Sequence, residues 1–228
     1  MRPCVVLLSG GLDSATTLAV ARRDGFSPHA LTIDYGQRHR RELDAARAVA
    51  RALGAADHRT IALDLRAIGG SALTADIPVP KDRALPGDAT PAEIPATYVP
   101  ARNLIFLSIA AAYAETIDAL DLFLGVNQVD WSGYPDCREE FLRAFAGAVD
   151  SGTRAGARGG RFAIHAPLAR LAKPEIIRLG ASLGVDYSLT TSCYDPAGDL
   201  ACGRCDSCRI RADGFARACI PDPTRYAR

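Results

Sequence analysis

Residues Ser9 to Ser14 read Ser-Gly-Gly-Leu-Asp-Ser, between the apolar run Cys4–Leu8 and the alanine-rich stretch Ala15–Arg23. This context predicts a strand, a tight turn and a helix start. Gly10 and Gly11 carry no Cβ to clash at positive φ or against a ligand surface. Ser9 and Ser14 add hydroxyl donors, and the helix that follows presents unpaired N–H groups and the positive end of its dipole. Such a turn selects an anion, and phosphate fits best. The candidate cofactor-binding residues are Leu8, Ser9, Gly10, Gly11, Leu12, Asp13 and Ser14, joined by Asp34 and Gly125 at the exits of two later strands. Asp13 repels phosphate unless it holds a bridging Mg²⁺ or caps the helix.

Cys193, Cys202, Cys205 and Cys208 form C-x8-C-x2-C-x2-C, with few apolar residues between Tyr194 and Arg211. Two-residue spacings let thiolates converge on one ion, and four sulfurs close a tetrahedral shell, as in structural Zn²⁺ sites. An iron–sulfur cluster uses the same ligands at the same compact spacing. Cys4, in a strand, and Cys219, near the C-terminus, read as inert packing. Cys137 lies in a polar loop with no histidine close in sequence, and packing is the better reading there than a nucleophile.

Arg102 opens a helix at Pro100-Ala101-Arg102-Asn103, where its charge opposes the dipole unless an anion lies near. Asn103 reads as a helper in capping. Asp130, Trp131, Tyr134 and Asp136 crowd seven residues after a strand; the set suits a planar heterocycle, with a ring to stack on and a carboxylate for paired N–H donors. A turn with its Trp folded onto the core explains the same composition. Lys173, before Pro174, suits the charge that develops on a transferring phosphate, and equally a solvated surface. His39 and His165 are lone histidines without an evident role.

Elements that position these residues follow from periodicity. Strands are expected at Cys4–Leu8, Ala30–Asp34, His58–Leu63 and Leu120–Gly125, and helices at Glu42–Leu53, Arg102–Ile117, Glu139–Val149 and Pro174–Leu183. The alternation predicts an α/β fold, a Rossmann-like parallel sheet with helices on both faces, whose ligand lies at the carboxyl ends of the strands. Six of the 14 prolines fall in 76–100, an expected long loop. The 228 residues suit one α/β domain over 1–188 with a small cysteine module over 189–228 packed on it. A net charge of +1 gives no field to attract nucleic acid or an anionic membrane, so a small molecule is the expected partner. The first apolar run is too short for a signal core and no stretch approaches a membrane span; a cytoplasmic chain is expected, in which clustered cysteines bind metal.

The loop, DYGQRHRRE at 34–42, VPARNLIFL at 99–107, GVNQVDWSGYPDCREEF at 125–141, the HAPL turn at 165–168 and the C-terminal cysteines, in this order, resemble the 7-cyano-7-deazaguanine synthase family of queuosine-precursor biosynthesis. SGGLDS alone resembles the wider ATP-pyrophosphatase superfamily, whose tRNA-thiolating and amide-forming enzymes are the alternative reading. Trp131 stands where the family usually shows Tyr or Phe, and Ala101 where Gly is frequent. The resemblance implies an ATP-dependent C–N ligase, a homodimer, which converts 7-carboxy-7-deazaguanine and ammonia to the 7-cyano base through adenylated carboxylate and amide intermediates. It implies that Ser9, Gly10, Gly11, Asp13 and Ser14 bind ATP phosphates with Mg²⁺, and that Cys193, Cys202, Cys205 and Cys208 hold Zn²⁺ remote from the chemistry. Asp13, Lys173 and Arg102 are then the candidate catalytic residues, and Arg102, Asp130, Tyr134 and Asp136 the candidate substrate contacts.

Overall fold

A computed structural model describes residues 1–37, 41–75, 77–82, 96–127 and 134–227. Among them β1 (Arg2–Leu7), β2 (Phe26–Asp34), β3 (Asp57–Ala62), β4 (Asp121–Phe123) and β5 (Ala163–His165) form one sheet, ordered β3-β2-β1-β4-β5, with every pair parallel. The helices are α1 (Leu12–Arg23), α2 (Arg41–Ala52), α3 (Arg102–Thr116), α4 (Glu139–Gly152), the short α5 (Arg154–Ala157), α6 (Lys173–Ser182) and α7 (Asp206–Ala218).

The unbroken apolar run of β1 has a physical reason. Alternate strand side chains face opposite sides of a sheet, and here both sides are covered. Cys4 and Val6 join one core with Leu18, Ile176, Ile177 and Phe215, while Val5 joins the other with Leu107, Leu122 and Phe145. α1 lies so deep that Leu12 and all of Ser14 to Ala21 are buried. Its hydroxyls are satisfied locally: Thr16 Oγ1 donates to Leu12 O at 2.9 Å and Thr17 Oγ1 to Asp13 O at 2.9 Å.

β1 pairs with β2 on one side and with β4 on the other, so strand order reverses between β1 and β4. That reversal opens the crevice in which parallel sheets bind ligands, and the Ser9–Ser14 loop lies at its edge.

Several boundaries differ from expectation. β2 begins at Phe26, four residues early, and runs through Pro28, whose carbonyl still accepts Ala56 N–H at 2.7 Å. β4 keeps only three residues of the expected six, and β5, also three residues long, was not foreseen because so short a run shows no period. α7 was not foreseen either. Its buried positions are Cys208, Arg211, Gly214, Phe215 and Ala218, so a buried arginine and a glycine interrupt the apolar face by which a helix is read.

Candidate active site

The loop is built as its residue types require. Gly10 has φ +82°, and a Cβ there would land 2.6 Å from Ala46 N and closer still to Glu42 O. Only glycine lets the first turn of α2 seat against the loop. Ser9 Oγ and Ser14 Oγ lie 3.0 Å apart, Gly11 N donates to Ser9 Oγ at 3.3 Å, and Ser14 Oγ donates to Gly11 O at 3.1 Å. Leu8 and Leu12 differ from the other predicted loop ligands: their side chains are buried in the core, so only their backbone can face a ligand.

Asp13 is the meeting point of three segments. Lys173 Nζ donates to Asp13 Oδ2 at 2.7 Å and Oδ1 at 2.8 Å, and Asn127 Nδ2 donates to Oδ2 at 3.2 Å. Gly125 permits the approach of the β4 exit, since a Cβ there would stand 3.0 Å from Asp13 C and Ser14 N. The structure thus unites Asp13, Lys173 and Gly125, which lie far apart in the chain. Asp34 ends β2, and its Oδ1 accepts Gly36 N–H at 3.4 Å.

Arg102 forms a second centre. Burial works against its charge, but the phenols of Tyr35, Tyr194 and Tyr134 and the Asp136 carboxylate outweigh it and raise its pKa, so the guanidinium stays charged. Tyr35 hydrogen-bonds Arg102 and is itself pushed up to about 12, chiefly by burial and next by Glu42. Glu42 is pushed up to about 7 by burial, against the downward pull of Arg102. Asp136 is 6% exposed, and its Oδ2 accepts Asn103 N–H at 2.8 Å. That bond caps the start of α3, so the Asp136 oxygen expected to face a substrate is instead occupied within the fold. Tyr134 stacks on Tyr98, with ring centroids 6.0 Å apart. Asp130 and Trp131 lie outside the described residues.

The four cysteines converge, with their Sγ atoms within 4.8 Å of one another and Cys202 to Cys208 at 4.0 Å. A tetrahedral ion with sulfurs at about 2.3 Å needs sulfurs about 3.8 Å apart, so the set fits zinc. Backbone N–H groups of Cys202 and Asp195 point to Cys193 Sγ at 3.2 and 3.4 Å, and that of Cys205 to Cys202 Sγ at 3.3 Å, an arrangement that favours thiolate. The centre is coupled to the loop, since Thr191 N, two residues before Cys193, donates to Gly10 O at 3.0 Å. Buried Arg211 of α7 fixes the same segment through Thr190 Oγ1 at 2.8 Å, Tyr187 O at 3.1 Å and Asp222 Oδ1 at 3.1 Å.

Of the residues read as inert or packed, Cys219 is exposed at the C-cap of α7 and fills no core, while Cys4 and Cys137 are buried. Cys4 is buried, with its thiol pushed up to about 12 chiefly by desolvation, and buried Cys137 has Asn103 Nδ2 at 3.1 Å. His165 Nε2 meets Asp121 Oδ1 at 2.7 Å and its ring stacks on Phe123 at 4.3 Å; His39 lies outside the described residues. Sequence reasoning assigned no role to Asn127, Tyr35, Glu42 or Tyr194, although the strand exits that carry Asn127 and Tyr35 were expected at the ligand edge. The first sits two residues past Gly125, the next two lie inside DYGQRHRRE and the last adjoins Cys193, so for Glu42 and Tyr194 proximity to known motifs was the only signal.

A glycine turn at the switch point of a parallel sheet, with a Lys–Asp pair across it, defines a Rossmann-like α/β domain. Solved structures share the fold: a predicted subunit of a tRNA methyltransferase from Methanocaldococcus jannaschii (TM-score 0.50, 18% identity, covering 79% of this chain and 75% of that one) and NMN synthetase from Francisella tularensis (TM-score 0.50, 20% identity, 86% and 66%). The family model described as "Queuosine biosynthesis protein QueC" matches residues 3–219. Proteins named 7-cyano-7-deazaguanine synthase are similar along nearly their whole length: one from an Anaeromyxobacter species is 60% identical, covering 98% of this chain and 96% of its own, and one from Methylococcus capsulatus is 59% identical, covering 99% of each. The chain belongs to the QueC family of queuosine biosynthesis proteins.

Proposed function

We propose that this chain is an ATP-dependent ligase that converts 7-carboxy-7-deazaguanine and ammonia to 7-cyano-7-deazaguanine. The reading rests on family membership and is carried by one observation: Lys173, Asp13 and Asn127 meet directly over the Ser9–Ser14 loop. A carboxylate is a poor electrophile, so nitrile formation needs two activations, first of the acid and then of the amide. The N–H groups and hydroxyls of the loop hold the β- and γ-phosphates and leave the α-phosphorus open to the substrate oxygen. Lys173 supplies positive charge where the departing pyrophosphate gains negative charge. Asp13 is the residue that would hold Mg²⁺, whose contribution when bound is charge neutralisation at the phosphates.

Arg102 seats the substrate carboxylate by paired N–H donation, and Asp136 and the surrounding tyrosines hold the guanidinium in place. Tyr134 and Asp130 are assigned to the heterocycle. Cys193, Cys202, Cys205 and Cys208 hold Zn²⁺ as a structural centre, a role that suits their fully sulfur donor set. The same reading includes a homodimer in the cytoplasm that acts without nucleic acid, in keeping with the net charge of +1. Among the described residues no helix is long and apolar enough to cross a membrane.

Incubation of the purified protein with 7-carboxy-7-deazaguanine, ammonium, ATP and Mg²⁺ tests the proposal. Mass spectrometry should show the amide and then the nitrile; ATP consumption independent of the carboxylate, with no new base formed, would overturn it.

A further inference from the structure

The proposed reaction moves protons as well as phosphates, and no residue assigned above accepts them. In amide formation the nitrogen of ammonia bonds to the activated carboxyl carbon, the bond from that carbon to the AMP oxygen breaks, and one N–H proton must leave. Near neutral pH ammonia is held mostly as ammonium, which must surrender a further proton before its lone pair is free to attack.

We infer that the carboxylate of Glu42 accepts the proton that ammonium surrenders, while the N–H proton lost after attack passes to water; this rests on the reading of Arg102 as the seat of the substrate carboxylate. Glu42 lies in the first turn of α2, the turn whose backbone presses against Gly10 of the phosphate loop. Its side chain is partly buried and faces Arg102 from the start of α3 and Tyr35 from the exit of β2. Arg102 in turn is faced by Tyr134 and Asp136 from the turn before α4 and by Tyr194 from the cysteine segment. A carboxylate on the turn that packs against the Ser9–Ser14 loop, within electrostatic reach of the group that grips the substrate acid, is placed on the side of the carbon under attack.

Among the described residues, the carboxylates of Asp13 and Asp136 are committed elsewhere. Asp13 is held by Lys173 and Asn127, and Asp136 by Asn103 N–H. Burial pushes Glu42 up to about 7 despite Arg102, which matches an acceptor to its operating pH. A substrate carboxylate bound to Arg102 would shield that positive charge and make Glu42 a stronger base.

Two reactions measured on wild type, Glu42→Gln and Glu42→Asp test the role. The first is carboxylate-dependent exchange of labelled pyrophosphate into ATP without ammonia, and the second is amide formation between about pH 6 and 9 with total ammonia subsaturating. Wild-type amide formation should rise tenfold per pH unit up to about 7 and then flatten, as an acceptor titrates. Glu42→Gln should retain exchange within about threefold, lose roughly 10²-fold in amide formation at pH 7, and rise tenfold per unit to about pH 9 with the fraction of free ammonia. Glu42→Asp should recover part of the loss. If exchange and amide formation fall together, or if both proteins share one pH profile, Glu42 is only the counter-ion of Arg102 and the inference is overturned. Absence of exchange in the wild type overturns the adenylate reading instead; the pH profile decides the role of Glu42 whichever phosphorus is attacked.

Discussion

Lys173 Nζ reaches both carboxylate oxygens of Asp13, at 2.7 and 2.8 Å, across a sequence separation of 160 residues. The pair joins the first turn of α6 to the first turn of α1 and places one positive and one negative group at the Ser9–Ser14 loop. Asn127 adds a third fixed contact from the β4 exit. A carboxylate held in this way is oriented before any ligand arrives.

Asp13→Asn should therefore lower turnover by on the order of 10²–10³-fold with the fold intact. Lys173→Met should do the same, and the double variant should lose much less than the product of the two, since both act as one unit. Steady-state kinetics with Mg²⁺ titration checks this. Normal turnover and unchanged Mg²⁺ dependence in Asp13→Asn would leave Asp13 as a helix cap.

Metal removal should act beyond the cysteines. Val79 packs in the cysteine cluster, Lys81 pairs with Cys205 in an antiparallel bridge, and Asp82 N donates to Arg204 O at 2.9 Å. Chelation should then lower the melting temperature and raise hydrogen exchange together in 193–208 and 77–82, because metal-binding energy is folding energy here. Freshly purified protein should carry about one zinc per chain. Iron, or less than about half an equivalent of zinc, would count against the assignment.

Ala101, at the N-cap of α3, has φ 54° and ψ 24°, a left-handed conformation. A non-glycine residue pays about 1–2 kcal/mol there, partly offset by the greater unfolded-state freedom of glycine. Ala101→Gly should stabilise the protein by up to about 1 kcal/mol in urea denaturation with turnover retained, and a loss of stability would contradict the backbone reading.

The fold was legible where local and global signals agreed. Gly10-Gly11 after a five-residue apolar run marks β1 and its turn, and the spacing of the four cysteines marks their convergence. Arg102 at a helix start signalled a need for anionic neighbours, and Asp136 and Glu42 supply them. Which partners would meet was hidden, because Tyr35 with Glu42, Tyr134 and Tyr194 come from three segments brought together only by the tertiary fold. β5 and α7 escaped for a related reason: three residues show no period, and in α7 buried Arg211 and Gly214 interrupt the apolar face that Phe215 and Ala218 continue.

Glu42 gives stability a pH dependence of known sign. Its pKa rises from 4.5 to about 7 on folding, so the folded state binds the proton more tightly. The associated stability is fully present below about pH 4.5 and is lost as pH rises through about 7. Relative to Glu42→Gln, wild type should lose up to roughly 3 kcal/mol between those limits. Denaturant titrations of both proteins across that range check it, and a constant difference would show that Glu42 titrates normally.

The central claim is that the Ser9–Ser14 loop grips pyrophosphate and exposes the α-phosphorus of ATP to the substrate acid and then to the amide. The most direct measurement follows ¹⁸O from a labelled substrate carboxylate into the phosphate products while the nitrile is counted. The account predicts two AMP per nitrile, each AMP carrying one heavy oxygen, with the amide accepted as a substrate in its own right. ADP with labelled inorganic phosphate would place the attack at the γ-phosphorus and contradict the role assigned to the loop, even if the nitrile still formed.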